Sequence, residues 1–401
     1  MRIAIWWEQD SWGGVDTHLL TLLQNWPDAN DRFVIFFNAG NQGMARIARA
    51  LSNIPAVATV SFPEDGNTGL TVFARVIRHF SLPLRFWLMK RRAQHVFSRN
   101  GVFDALLVDN GGYPGAWGSL AAVWAGAAAG IRTRMLLVHH CAIARAALRY
   151  NVESLIDIGV QRWATDLVAV SRATRDTLIE QRGFFTVRNP IRVIHNGVDL
   201  ASASEEAAPD LRASLGIADD AFVVGMVGRL ERYKGQEDLV LALGELPVAL
   251  LAKVVVVFVG SAETAERTRL EAMAQKTGVT SSVRFAGYVE GSAGAVMRQF
   301  DLLAMLTKDF EGFGLTIAEA MSAGTPVMAT RVGAVPEFVS TDIATLVQPE
   351  APDEIAQALV EIMSNREETQ RRAARARLHI SKYSGQAMAR KFHRLLLVSG
   401  G

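Results

Sequence analysis

The feature that most constrains this chain is a repeated alternation. Short runs dominated by Val, Ile, Leu and Phe recur along it, each followed by a longer stretch with helical periodicity. In the first half the runs fall at residues 2–7, 32–37, 56–62, 104–109, 134–139, 166–171 and 192–195. In the second half they fall at 222–229, 254–260, 283–286, 301–306, 326–330 and 344–347. Strands that are apolar on both faces belong in parallel sheets with helices on either side. Alternation with helices makes the repeating unit βαβ. The predicted fold class is therefore α/β, built as two Rossmann-like, doubly wound domains.

The length agrees, since 401 residues exceed one ordinary core and suit two domains. Residues 201–221, ASASEEAAPDLRASLGIADDA, are small, acidic and interrupted by proline, the composition of a connector. The predicted organisation is a first domain over 1–200, a linker over 201–221 and a second domain over 222–385. A last helix over 386–401 is expected to pack back towards the first domain.

Charge and cysteine content exclude several classes. Lys and Arg total 42 against 40 Asp and Glu, a formal net charge of +2, which argues against a nucleic-acid partner. Cys141 is the only cysteine, so the chain has no disulfide framework and no Cys-rich zinc site, which fits a reducing compartment. The apolar run at 3–7 meets Glu8 and Asp10 at once, unlike a secretory signal. The runs at 120–131 and 239–259 are too short or too interrupted for the about 20 apolar residues of a bilayer span. The expected location is the cytoplasm. One segment is unusual: residues 75–99 carry Arg78, Phe80, Arg85, Phe86, Trp87, Lys90, Arg91, Arg92 and Phe97, with no acidic residue. Such a stretch suits an anionic membrane surface on the inner face, and equally a solvated helix with its apolar side in the core.

Open α/β sheets bind ligands beyond the carboxyl ends of their strands. The densest signal of this kind follows the run at 301–306. There Phe310-Glu311-Gly312-Phe313-Gly314-Leu315-Thr316 leads into a helix that Gly324 stops. Glycines let a ligand approach the backbone, and a helix N-terminus at Leu315 and Thr316 offers free N–H groups to a phosphate. Glu311 and Glu319 are carboxylates able to accept hydrogen bonds from sugar and ribose hydroxyls. Thr316-x-x-Glu319 is also a capping-box pattern, in which Glu319 only satisfies the helix start. A second signal is Gly228-Arg229-Leu230-Glu231-Arg232-Tyr233-Lys234-Gly235, after the run at 222–229. Arg229 and Lys234 are cations placed to neutralise a diphosphate, with solvated loop charges as the plain alternative.

These two stretches, GRLERYKG and FEGFGLTIAEAMSAGTPVMATRVGAVPEFV, resemble the retaining glycosyltransferases of family 4, which have the GT-B architecture. Gly13-Gly14, the segment from Val193 to Asp199, Val259-Gly260 and Phe285-Ala286-Gly287 extend the resemblance over nearly the whole chain. It implies two domains facing across a cleft, and transfer of a sugar from a nucleotide-diphosphate donor to a hydroxyl of a carbohydrate or lipid-linked acceptor. Glu311 and Glu319 match the family's Glu-x7-Glu motif. The resemblance gives Glu319 the donor ribose and Glu311 the transferred sugar. It gives Arg229, Lys234 and the N–H groups of Gly314, Leu315 and Thr316 the diphosphate. The chain departs in one place: Thr307-Lys308 stands where many relatives have Pro-Ser.

In the first half, Gly13-Gly14 opens a helix with apolar positions at Val15, Leu19, Leu22, Leu23 and Trp26. By resemblance, Gly14 approaches the donor phosphates. His139 and His140 end the run at 134–139, and the family places a histidine there near the reacting sugar; His139 matches it best, with His140 as the alternative. No cofactor and no metal is expected, since the chain lacks an Asp-x-Asp pair and cations with helix dipoles can take that role. The expected product chemistry is retention, in polysaccharide, lipopolysaccharide or glycolipid assembly. Two other functions suit the same scaffold: a nucleotide-sugar 2-epimerase and a non-catalytic nucleotide-sugar binding protein.

Overall fold

A computed structural model describes residues 1–9, 13–41, 43–52, 54, 57–62, 82–184, 190–200 and 208–400. Asp10, Ser11 and Trp12 of the first loop lie outside the described residues, as do Ala56, the part of the basic stretch before residue 82, and 201–207 of the expected connector.

The chain divides into two compact units. The first takes in Met1–Gly197 and returns with Gly385–Gly401; the second is Val198–Ser384. Of the expected connector, the described part is not all extended. Leu211–Leu215 is a helical turn, capped where the Asp210 carboxylate accepts the Ala213 N–H and ended by Gly216.

Each of the thirteen short runs expected as strands overlaps one. The first unit has β1 (Arg2–Trp7), β2 (Arg32–Asn38), β3 (Val57–Phe62), β4 (Ala105–Asn110), β5 (Thr133–Val138), β6 (Asp166–Ala169) and β7 (Ile191–Val193). They form one parallel sheet in the order β3-β2-β1-β4-β5-β6-β7. The second unit has β8 (Phe222–Val227), β9 (Val254–Val259), β10 (Val283–Gly287), β11 (Leu302–Met305), β12 (Val327–Thr330) and β13 (Thr345–Val347). These are also all parallel, ordered β10-β9-β8-β11-β12-β13. In each sheet the winding reverses beside its first strand, between β1 and β4 and between β8 and β11. Loops leaving the carboxyl ends of those strands diverge to opposite faces and open a crevice. Both residue clusters described below sit at these reversals.

Each sheet is buried on both faces, and each has a core cluster of its own unit packed on one of them. In the first unit, Phe86 stacks on Trp124 and Trp163 and so pins the helix Leu82–Arg99 down. That helix sends Leu82, Phe86, Ala93 and Phe97 inward while leaving Leu84, Trp87 and Leu88 exposed. The last helix, Gly385–Gly400, packs in the first unit, where Phe392 lies against His18 and His393 against Trp26. Among the described residues no helix is long and apolar enough to cross a membrane.

Candidate functional site

In the second unit the reversal between β8 and β11 brings together residues 77 apart in sequence. Lys234, at the end of the loop after β8, places its Nζ 3.2 Å from Oε2 of Glu311, in the loop after β11. The buried Thr307 hydroxyl donates to the same oxygen at 3.3 Å. Thr307 is half of the Thr-Lys pair that departs from the family pattern, so the departure supplies a donor to Glu311. Its neighbour Lys308 turns elsewhere, binding Glu237 and, at 3.3 Å, Asp238. Arg229 pairs instead with Glu231 at 2.9 Å, with about half of its side chain in solvent.

The helix after this loop is Leu315–Ala323. Its N-cap is Gly314, with φ of +87°, a conformation that favours glycine. The first-turn N–H groups of Leu315 and Thr316 therefore have no partner four residues back. This corrects the capping-box expectation. Glu319 is the fifth residue of the helix, one turn beyond the start, and no side chain caps the end. Its position puts it on the same side as Leu315 and Thr316, all three half-buried in a helix that is otherwise mostly core. Among the described residues no hydrogen bond or ion pair reaches its carboxyl, and burial pushes it up to about 7.

One residue that holds this arrangement escaped the sequence reading. Gly333 has φ of +52°, and a Cβ there would lie 2.3 Å from the Glu311 carbonyl oxygen. The Ala334 N–H also donates to that carbonyl at 2.8 Å. The loop after β12 thus closes on the Glu311 backbone. Gly333 stood inside the quoted motif, but nothing local marked it, because its constraint comes from a loop 22 residues away.

The first unit has its own cluster at the reversal between β1 and β4. His139 is the first residue beyond β5, and its Nε2 lies 2.5 Å from Oδ1 of Asp109, on β4. Both are buried. The His18 ring meets His139 edge-on at 4.6 Å. His140 instead is half-buried, with Nδ1 3.2 Å from the Cys141 sulfur. The helix Gly14–Gln24 carries Asp16, whose Oδ2 accepts the Gly13 N–H at 2.5 Å. Gly14 is exposed at the first helical position. Burial, with Asp109 adding to it, outweighs the Gly13 N–H and lifts the Asp16 carboxyl to about 7. Burial and then His139 push His18 down to about 3, so its ring is neutral at ordinary pH. The apolar stripe expected for this helix is only partly correct. Val15 and Trp26 are half-buried, while Asp16, His18 and Thr21 are inside.

His18, Asp109 and His139 have donor atoms within 4.8 Å of one another, close enough to suggest a metal. The 2.5 Å between Nε2 and Oδ1 points the other way. Two ligands held tetrahedrally at about 2.0–2.1 Å from one zinc stand roughly 3.3 Å apart. Nε2 and Oδ1 stand instead at hydrogen-bonding distance.

Comparison with known proteins matches each unit to a family. Residues 12–202 match the model described as Glycosyltransferase Family 4, and residues 208–379 the model described as Glycosyl transferases group 1. An uncharacterized glycosyltransferase of Methanocaldococcus jannaschii is 28% identical over 237 residues, covering 57% of this chain and 59% of that one. A D-inositol 3-phosphate glycosyltransferase of Corynebacterium jeikeium is 33% identical over 222 residues, 53% of each chain. The chain thus spans between half and three fifths of the length of these curated relatives. Among solved structures, HepE of Anabaena in complex with UDP superposes with a TM-score of 0.75 at 21% identity, over 99% of this chain and 100% of that one. The apo lipopolysaccharide outer core galactosyltransferase WaaB gives 0.65 at 16%, over 99% of each chain. At such identities the likeness is one of fold.

Proposed function

We propose that this chain, which by its two family matches belongs to the glycosyltransferases of GT-B architecture, moves a sugar from a nucleotide-diphosphate donor to an acceptor hydroxyl with retention and without a metal. The observation that carries the reading is the meeting of Lys234, Glu311, Thr307 and the open helix start at Leu315 and Thr316, with Glu319 one turn on. A diphosphate needs cations and free N–H groups, and this end of the sheet presents both. A ribose needs a carboxylate that accepts from two hydroxyls, and Glu319 has a carboxyl with no competing partner among the described residues. In this reading Glu311, beside Lys234, takes the hydroxyls of the transferred sugar, and Lys234 meets the leaving diphosphate.

Catalysis in this reading is electrostatic. Lys234, Arg229 and the helix N-terminus stabilise the charge that develops on the departing diphosphate. Arg229, exposed and, among the described residues, ion-paired only with Glu231, can turn towards it. His139, in the first unit, hydrogen-bonds the donor sugar, and Gly14 approaches the phosphates. The acceptor is carbohydrate or lipid-linked and is held by the first unit. The exposed Leu84, Trp87 and Leu88 beside Arg91 form a face for an anionic membrane surface, which suits a lipid-linked acceptor. Because HepE of Anabaena was solved with UDP and with UDP-glucose, uridine donors are the first to try.

Thermal stability against a panel of nucleotide-sugars, with and without EDTA, tests this in the wild type and in Glu319→Ala. A ligand that binds the folded state raises the melting temperature by mass action. The expected result is stabilisation by one donor, unchanged by EDTA and lost in the variant. Stabilisation that EDTA abolishes rules out the metal-free mechanism. A donor consumed without any acceptor and converted to its epimer turns the assignment to the 2-epimerase. Tight donor binding with no transfer turns it to the non-catalytic binding protein.

A further inference from the structure

The buried carboxylate of Asp109 has no part in the chemistry above, and its setting is specific. Asp109 and Asn110 are consecutive at the end of β4. The Asn110 carbonyl accepts the His139 backbone N–H at 3.1 Å, while Asp109 Oδ1 meets the His139 ring Nε2 at 2.5 Å. His139 is therefore held at two points, main chain and ring, by two neighbouring residues of the adjacent strand. His18 closes on the ring's side. Asn110 is in turn fixed, its side chain donating to the Pro114 carbonyl at 3.0 Å and accepting the Ala116 N–H at 3.2 Å. Asp109 Oδ2 is buried and, among the described residues, has no hydrogen-bond partner. A carboxylate that is this enclosed and aimed at one ring nitrogen is doing something other than solvating itself, because its burial is costly unless the ring compensates it.

We infer that Asp109 is the positioning residue for His139: it accepts the Nε2–H, sets the ring's tautomer and orientation, and leaves Nδ1 as the nitrogen that meets the donor sugar. The inference rests on the proposed role of His139. The chemistry follows from the ring's two nitrogens. A carboxylate only accepts, so the proton sits on Nε2, and neutral Nδ1 then accepts a hydroxyl proton. With an amide in place of the carboxylate the side chain can donate instead, and the tautomer preference is lost. In hydrolases built on a carboxylate–histidine pair, that change alone is severe for the same reason.

The test has two arms, and the first needs no substrate. The full chain is labelled with 15N-histidine and the ring tautomer read by NMR, with His139 assigned from its missing signals in His139→Gln. The wild type is expected to carry the proton on Nε2, and Asp109→Asn is expected to shift it to Nδ1 or to a mixture. A wild-type ring protonated on Nδ1 alone, or one unchanged in Asp109→Asn, overturns the inference. The second arm follows UDP release from UDP-glucose in the wild type, Asp109→Asn, His139→Ala and the double variant. Asp109→Asn should lower kcat by roughly 10²-fold or more with KM little changed, and the double variant should be no slower than His139→Ala. A loss that adds in full to that of His139→Ala means Asp109 acts elsewhere and overturns the inference. If His139→Ala leaves turnover intact, the role of His139 in the proposed function fails, and the tautomer measurement still decides the role of Asp109.

Discussion

Lys234 and Glu311 form an ion pair at 3.2 Å although the loops that carry them follow different strands, β8 and β11. The pair exists because those strands are neighbours at the point where the second sheet reverses its winding. Without a donor, the cation proposed for the diphosphate and the carboxylate proposed for the sugar satisfy each other. A donor would have to separate or share them.

The two partners should therefore fail differently. Lys234→Ala removes the charged hydrogen bond proposed to the diphosphate, worth about 1.5–3 kcal/mol, so UDP affinity should fall by roughly 10- to 100-fold. Glu311→Gln frees Lys234 and should leave UDP binding within about tenfold of the wild type while sugar transfer collapses. Calorimetry for binding and UDP release for turnover separate the two. Equal loss of UDP affinity in both variants would contradict the division of roles.

Glu319 should make both stability and binding depend on pH. Its folded carboxyl titrates at about 7, above the ordinary value of 4.5. Between those values the folded chain holds a proton that the unfolded chain has released. The stability from this group is fully present below pH 4.5 and is lost as pH rises towards 7. Glu319→Gln removes that loss, so the variant should gain on the wild type across this window in denaturant titrations. Ribose hydroxyls need the ionised carboxylate, so UDP affinity should rise from pH 6 to pH 8 in the wild type and stay flat in Glu319→Gln.

Gly333 should behave as a residue of the site without touching a ligand. In Gly333→Ala the new Cβ meets the Glu311 carbonyl oxygen and the backbone is strained at positive φ. The expected cost is on the order of 1–3 kcal/mol in stability, with a larger proportional loss of transfer because Glu311 is displaced. Wild-type turnover in a folded Gly333→Ala protein would show that the loop tolerates the shift.

A buried network in the first unit sets a structural limit. Arg182 is fully buried and reaches Glu153 at 2.9 Å and Asp157 at 3.1 Å, while the Tyr113 hydroxyl donates to Asp157 at 2.8 Å. Asp157→Ala strips a partner from a buried guanidinium, so the expected destabilisation is about 3–5 kcal/mol. Denaturant midpoints measure it. A change below about 1 kcal/mol would mean that water or Glu153 compensates in full.

The exposed Leu84, Trp87 and Leu88 should matter only at a surface. Trp87→Ser is expected to leave UDP binding unchanged and to weaken sedimentation with vesicles rich in anionic phosphatidylglycerol, an effect reduced by salt. Equal sedimentation of wild type and variant would remove the membrane contact.

The strands were legible in the sequence because an internal parallel strand is apolar on both faces, and that local composition survives any packing. The two glycine-flanked loops were legible for a related reason, since left-handed turns and close backbone approach leave few other residue choices. Residues such as Asp109, Asp16 and His18 were not legible. Each is a buried polar residue in a largely apolar stretch; Asp109 and His18 meet partners from another strand or helix, and Asp16, though it binds the nearby Gly13 N–H, is buried by elements distant in sequence. Glu319 was only half legible: its motif was visible, but a capping box and a ligand carboxylate read alike until Gly314 appeared as the N-cap.

The sequence by itself determined that this chain alternates strand and helix in two halves, and which short segments break that alternation with glycine and charge. Those are properties of residues near one another along the chain, where periodicity and backbone freedom act. Only the tertiary structure decided that Lys234 meets Glu311, that Gly333 closes on Glu311, and that Asp109 holds His139. Those pairs span 77, 22 and 30 residues, and they depend on which strands lie side by side: β8 and β11 at the reversal for the first, β11 and β12 for the second, β4 and β5 for the third. Strand order is set by how the helices cover both faces of a sheet at once, which local pattern does not encode.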